Sequence, residues 1–266
     1  MALLGIGLSA ALATSACGAD ATTGKATDKD KNPGAATAAA AESSGQRDLP
    51  QGSEPVKLDP ADFSTNIDNP YWPMAPGNKW VYSETDTVGG HEKVVVEVTN
   101  ETKMIANGIE ARVIRDTATE NGKLTEQTDD WYAQDKAGNV WYMGEATAEY
   151  ENGKVKTRAG SFEAGVDGAL PGIAMPANPE PGMTYRQEYY KGEAEDKGAV
   201  ITVGEEQVQV PFGYFDKDLL MTRDLVPTEP KAQELKFYAP DVGPVLSMHT
   251  DGAGGRAVLV NYTQGG

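Results

Sequence analysis

The sequence predicts an all-β fold, an antiparallel meander forming a curled sheet, a sandwich or a partly open barrel, with one long Gly/Pro-rich loop. Three observations carry this. Apolar residues alternate with polar ones in short runs, hairpin dipeptides recur between those runs, and no long helical period appears. Consecutive strands joined by short turns imply antiparallel pairing, since parallel crossovers would need helices the sequence lacks.

Taken in order, the first element is a helical turn after Asp59-Pro60, where Asp caps and Pro takes the first helical position. Val94, Val96 and Val98 then share one face, with Val95 and Glu97 on the other. Asn107-Gly108 separates Met104-Ile105 from Ile109, and Asn121-Gly122 and Asn152-Gly153 each sit inside Glu-Asn-Gly-Lys. Asn-Gly signals a hairpin because a type I′ turn needs positive φ at both central residues. The flanks of the two Glu-Asn-Gly-Lys copies do not match, so they mark recurrent turn chemistry, not a repeat. Gly89-Gly90 and Lys136-Ala137-Gly138-Asn139 are further turns. Other strands are expected at 127–134, 139–150, 199–204, 206–215, 218–226, 232–239, 242–249 and 256–263. Residues 159–183, with four Pro and five Gly, are expected to form no regular strand. Phe162, Leu170, Ile173 and Met175 make that stretch a packed loop, lying across a sheet face or closing one end.

Composition narrows the function. The 266 residues hold 23 Lys+Arg against 40 Asp+Glu, a net charge of −17, with 39% hydrophobic residues and mean hydropathy −0.48. That is too polar for a polytopic membrane protein, and 20 aromatics are too many for a disordered chain. A pI near 4.5 argues against nucleic acid as a partner. One Cys and two His remove most metal-cluster, disulfide and His-dependent catalytic readings.

The N-terminus indicates destination. Residues 1–16 read as a signal peptide, since 2–16 are uncharged and apolar, too short to span a bilayer, and end at Cys17, the only cysteine. Thr14-Ser15-Ala16-Cys17 resembles a bacterial lipobox, where cleavage leaves the Cys to carry lipid. It departs in having Thr14 at a position usually Leu, and no basic residue precedes the apolar run, as a start upstream of Met1 would leave it. Residues 17–50 form the lipidated Cys and a flexible tether: in 18–50, 19 of 33 residues are Gly, Ala, Ser or Thr and none is aromatic. Its span as a coil is roughly 30 Å. The tether carries 4 basic and 5 acidic residues, so the acidity belongs to 51–266, read as one β-rich domain. The chain is thus expected outside the cytoplasm, its partner the membrane through a lipid anchor.

Several segments carry a resemblance. The run Asn69-Pro70-Tyr71-Trp72-Pro73-Met74-Ala75-Pro76-Gly77-Asn78-Lys79-Trp80-Val81-Tyr82 is similar to the opening of a family of exported bacterial proteins of unassigned function. Asp130-Trp131-Tyr132-Ala133-Gln134-Asp135, Gly138-Asn139-Val140-Trp141-Tyr142, Tyr185-Arg186-Gln187-Glu188-Tyr189-Tyr190 and Phe237-Tyr238-Ala239-Pro240-Asp241-Val242-Gly243 resemble it too. The resemblance implies an exported domain and brings no activity, cofactor or catalytic residue.

The search for chemistry gives no catalytic set. No Gly-x-Ser-x-Gly exists, and His91 follows a glycine turn. Ser247, His249 and Asp251 would share a strand face, but same-face neighbours stand nearly 7 Å apart, at about 3.3 Å per residue. Glu188, Glu193, Glu195 and Asp196, around Gly192, form the densest acidic set and are the candidate site for Ca²⁺, which wants several oxygens on a bend. The alternative is a solvated charge run. Trp131 and Trp141, on strands apolar on both faces, with Arg186, Tyr189 and Tyr190, are the candidate ligand-binding residues. The expected function is a membrane-tethered, non-enzymatic β domain that binds a ligand or partner at the cell envelope. The rivals are an extracellular hydrolase using those carboxylates and a structural or assembly lipoprotein.

Overall fold

The computed structural model describes residues 49–86, 90–227, 233–250 and 255–266. The signal, Cys17 and the tether up to residue 48 lie outside the described residues, as do Gly89 and Asp251. Pro60–Asp62 forms a single 3₁₀ turn, its cap made by Asp59 Oδ1 accepting from the Ala61 amide at 3.0 Å.

The strands follow in chain order: β1 (Phe63–Ser64), β2 (Lys79–Asp86), β3 (His91–Met104), β4 (Glu110–Glu120), β5 (Lys123–Asp135), β6 (Val140–Glu151), β7 (Lys154–Thr157), β8 (Phe162–Glu163) and β9 (Leu170–Met175). Then come β10 (Thr184–Arg186), β11 (Glu188–Tyr189), β12 (Lys197–Val203), β13 (Val208–Val210), β14 (Gly213–Phe215), β15 (Leu220–Leu225), β16 (Gln233–Ala239), β17 (Gly243–His249) and β18 (Gly255–Thr263). One antiparallel sheet runs β12-β15-β16-β17-β18-β2-β3-β4-β5-β6-β9. Its two ends meet on a single continuous segment. Thr184, Tyr185 and Arg186 pair with Ala199, Gly198 and Lys197 on β12, and two residues later Glu188 and Tyr189 pair with Pro171 and Leu170 on β9. The meander is therefore a nearly closed barrel. β1 lies against β5, β7 and β8 against β6, and β13–β14 forms a separate hairpin.

The type I′ expectation holds at two turns: Asn121 and Gly122 have φ of 51° and 74°, Asn152 and Gly153 of 53° and 74°. It fails at Asn107-Gly108, where only Gly108 is left-handed. There the Asn107 side chain accepts from the Ile109 amide, and Ile105 and Ile109 pair across a longer loop.

Two expectations are corrected. Segment 206–215 is not one strand but the β13–β14 hairpin, broken at Pro211-Phe212, where proline has no N–H to give a ladder. Segment 159–183 does contain regular strand, β9, which pairs with both β6 and β11 and carries the seam of the barrel. Its Pro and Gly serve that seam. The Pro171 carbonyl accepts from Arg186 Nε and Nη2 at 3.1 and 2.8 Å, and a Cβ on Gly172 would stand 2.1 Å from the Gln187 carbonyl oxygen. Phe162, Ile173 and Met175 are buried as expected, while Leu170 is half-buried.

Candidate functional site

Strand register sorts the inward-facing side chains into two halves. At one end the segment leading into β2 folds under the barrel and buries Ile67, Trp72 and Met74. The Trp72 ring lies 5.5 Å from Tyr132 and 6.0 Å from Tyr238. Trp80 Nε1 donates to the Val242 carbonyl at 2.7 Å, and Tyr82 Oη to that of Pro244 at 2.9 Å. This aromatic half brings together Trp72 and Trp80 of the quoted motif 69–82, Tyr132 of 130–135, and Tyr238 and Val242 of 237–243.

The other half is acidic. Moving along the strands in steps of two, Trp80 and Tyr82 lead to Glu84, Ile114 to Asp116, Tyr132 to Asp130, and Tyr238 to Lys236 and Glu234. Glu84 pairs with Glu92 across β2–β3, and Asp130 with Glu145 across β5–β6. Asp224 pairs with Glu234 across β15–β16. A cavity of about 10 Å³, room for roughly one water, separates the halves and touches Trp72, Tyr82, Asp116, Asp130 and Tyr132.

Three groupings organise the acids. In the first, Tyr142 Oη stands 2.8 Å from Asp130 Oδ1 and 3.0 Å from Glu145 Oε2. Burial, then the Asp130 charge, holds Glu145 well above the usual carboxylate range, and burial pushes Asp130 up to about 7. In the second, the buried Glu188 and Asp196 carboxyls face one another. Neither Glu188 oxygen receives a hydrogen bond from a donor group, nor does Asp196 Oδ1, so a proton between the two is what can join them. Burial, then Asp196, raises Glu188, and burial, then Asp224, pushes Asp196 up to about 7. In the third, Lys236 Nζ lies 2.7 Å from Asp224 Oδ2 and 3.2 Å from Glu234 Oε2. Gln187 Nε2 donates to Asp224 Oδ1 at 3.1 Å, and Ser247 Oγ to Glu234. Those two carboxylates hold Lys236 above its ordinary value against the opposing pull of burial. Glu84 and Glu126, nearer the strand ends, are pushed up to about 9 and about 7, first by burial and then by neighbouring acids.

The residues singled out in the sequence fall in different places. Of the four proposed Ca²⁺ ligands, Glu188 and Asp196 come together inside the barrel. Glu193 is exposed on the outer turn, and Glu195 accepts from the Gly192 amide at 2.8 Å. Among the described residues no three acids converge as a metal ion would require. Trp131 is buried with Lys103 Nζ 4.5 Å over its ring, and Trp141 Nε1 donates to Asp135 Oδ2 at 2.9 Å. Arg186, 1% exposed, spends its guanidinium on the carbonyls of Pro171, Gly52 and Glu54. Tyr189 and Tyr190 are half-buried beside the 190–194 turn. Ser247 and His249 share a face, but Ser247 is engaged by Glu234.

No family model matches the chain. No curated protein matches it either. Three solved structures do. A Bacteroides fragilis protein described as exported, with a YmcC-like fold, aligns at 16% identity and TM-score 0.40 over 73% of this chain and 99% of its own. A Parabacteroides distasonis protein described as a lipoprotein gives 14% and 0.38 over 73% and 98%. A β-barrel-like protein of a domain of unknown function from Brucella abortus gives 13% and 0.36 over 71% and 98%.

Proposed function

We propose that this chain is an exported lipoprotein whose β domain is held at the membrane by Cys17 and binds a small ligand at the acidic end of its barrel, without catalysis. The apolar run ending at Cys17 and the Gly/Ala/Ser/Thr tether support export and anchoring. The observation that carries the binding function is the polar half of the interior. Side chains of about eight strands suffice to fill a closed barrel, and this sheet has more; a fold that needed only stability would fill the surplus with apolar side chains. Here Asp130, Glu145, Glu188, Asp196, Asp224 and Glu234 line it instead. Buried acids of this kind resist desolvation and are kept where they meet something.

The test has two arms. Cell fractionation of Cys17→Ser should move the protein out of the membrane fraction; retention there would end the lipoprotein reading. Native mass spectrometry of the Cys17→Ser chain, exported and purified without chelator, should show a reproducible non-covalent mass. A bare chain would overturn the binding function. Ca²⁺ belongs to the same measurement, as an added mass removed by chelator.

A further inference from the structure

The interior already shows how it holds a cation. Lys236 Nζ sits between Asp224 Oδ2 and Glu234 Oε2, with an ammonium among carboxylates and no ring of metal-like ligands. Beyond Glu234, toward the strand ends, the acids continue, and among the described residues no Lys or Arg forms an ion pair with Glu84, Glu92 or Glu126. Glu84 is 4% exposed and its Oε2 receives no hydrogen bond. The charges acting on it are those of Glu92, Glu234, Asp116 and Glu126, all acids. Glu92 takes a hydrogen bond from Thr125 and Glu126 a long one, 3.4 Å, from Thr128. Both are half-buried, so this group is reached from solvent.

An acceptor enclosed by like charges calls for a donor and a positive charge, and the proton that Glu84 keeps up to about pH 9 meets that need for one acid of the group alone. Water supplies only the first. A hard metal ion supplies the second but demands several oxygens at about 2.3–2.6 Å. A primary ammonium carries three N–H donors and one charge on a slim stem, as Lys236 does. We infer that the mouth formed by Glu84, Glu92, Glu126 and Glu234 binds a small primary alkylammonium group. This deepens the ligand-binding function above and rests on it.

The test uses the full Cys17→Ser chain, titrated by calorimetry and scanned for melting temperature at fixed ionic strength. The probes are ethylammonium, tetramethylammonium, Na⁺ and Ca²⁺. Ethylammonium should bind and raise the melting temperature, whereas tetramethylammonium, of equal charge but without N–H donors, should do neither. Glu84→Gln keeps the shape and should weaken ethylammonium binding about tenfold or more, the worth of one charge-assisted hydrogen bond. Glu234→Gln is a second variant for the same effect, and Glu193→Gln, on the exposed turn, should leave binding unchanged. N-acetyl-lysine methylamide binding more tightly than ethylammonium would assign the ammonium to a lysine side chain and not to a free amine. Equal response to tetramethylammonium or Na⁺, stronger response to Ca²⁺, or undiminished binding in both Glu84→Gln and Glu234→Gln would overturn the inference. If no amine binds while native mass spectrometry still shows a bound mass, the binding function stands and this site falls.

Discussion

Asp130 and Glu145 share one hydroxyl. Tyr142 Oη is within hydrogen-bond distance of both carboxyls, at 2.8 and 3.0 Å, and has a single proton to give. Both contacts are hydrogen bonds only if one acid is protonated and donates to Oη. The shorter contact, to Asp130, is the one in which Tyr142 donates, and burial raises both acids so that the pair holds a proton. Tyr142→Phe removes this shared hydroxyl and leaves Asp130 without its donor. A loss of about 1–3 kcal/mol is expected, measured by urea unfolding. The loss should be greater at alkaline than at mildly acid pH, because an unassisted Asp130 holds its proton more tightly in the folded state.

The same reasoning applies to the whole interior and fixes a sign. Folded Glu84 titrates at about 9, and Asp130, Glu126, Asp196 and Glu234 at about 7. In the unfolded chain such groups titrate near 4. Between those limits the folded state binds more protons, so stability falls as pH rises. The stabilisation from these protons should be complete at about pH 4, the foot of this window, and the melting temperature should decline from there through about pH 7, with Glu84 carrying the fall on toward about pH 9. A curve that is flat or rising across that range would contradict the buried arrangement.

Lys236 gives the opposite kind of variant. Lys236→Met fills similar space but leaves Asp224 and Glu234 facing each other without their cation, with only Gln187 and Ser247 as donors. Breaking a buried pair on one side costs about 3–5 kcal/mol. That cost should shrink on acidification, because Glu234, which burial pushes up to about 7, can then take up a proton in place of the ammonium. Urea midpoints of wild type and variant at about pH 5 and pH 8 check it. Equal destabilisation at both would mean that packing, and not charge, is what Lys236 supplies.

The strands were legible because period-two alternation and Asn-Gly turns are local signals. The acidic interior was written in the same alternation but was harder to see. Glu84 falls in phase with Trp80 and Tyr82, Asp116 with Ile114 and Ala118, and Asp130 with Thr128 and Tyr132. Carboxylates on an apolar face are the signal. It was masked because an acid-rich chain scatters carboxylates on both faces, and because the bulge in the β5–β6 ladder at Trp131/Tyr132 shifts Glu145 out of simple step with Tyr142. Glu188 and Asp196 were found by density, which cannot distinguish them from Glu193 and Glu195 on the outer turn. Arg186 stood out as a basic residue interleaved with Tyr189 and Tyr190. Its work, gathering backbone carbonyls from the 52–54 stretch, depends on contacts more than a hundred residues apart.

Barrel closure supplies the last prediction. The seam is short, three residue pairs on the β12 side and two on the β9 side, and it is stitched by one segment. At its tightest point a Cβ on Gly172 would lie 2.1 Å from the Gln187 carbonyl oxygen and 2.6 Å from that of Arg186. Both obstacles are backbone, so no side-chain rotation relieves them. Gly172→Ala should therefore cost about 3 kcal/mol or more, at the upper end of overpacking penalties. At Gly213 an added Cβ meets only the Phe215 ring, at 3.8 Å, so Gly213→Ala should be close to neutral. Hydrogen exchange locates the damage. The Gln187 amide, bonded to the Asp196 carbonyl at 2.8 Å, and the Arg186 amide, bonded to that of Pro50, should exchange faster in Gly172→Ala. Amides of the long β3–β4 ladder should stay protected, since that hairpin lies away from the seam. If the seam amides stay protected, or if protection falls equally on both sides of the barrel, then residues 184–189 are not what closes it.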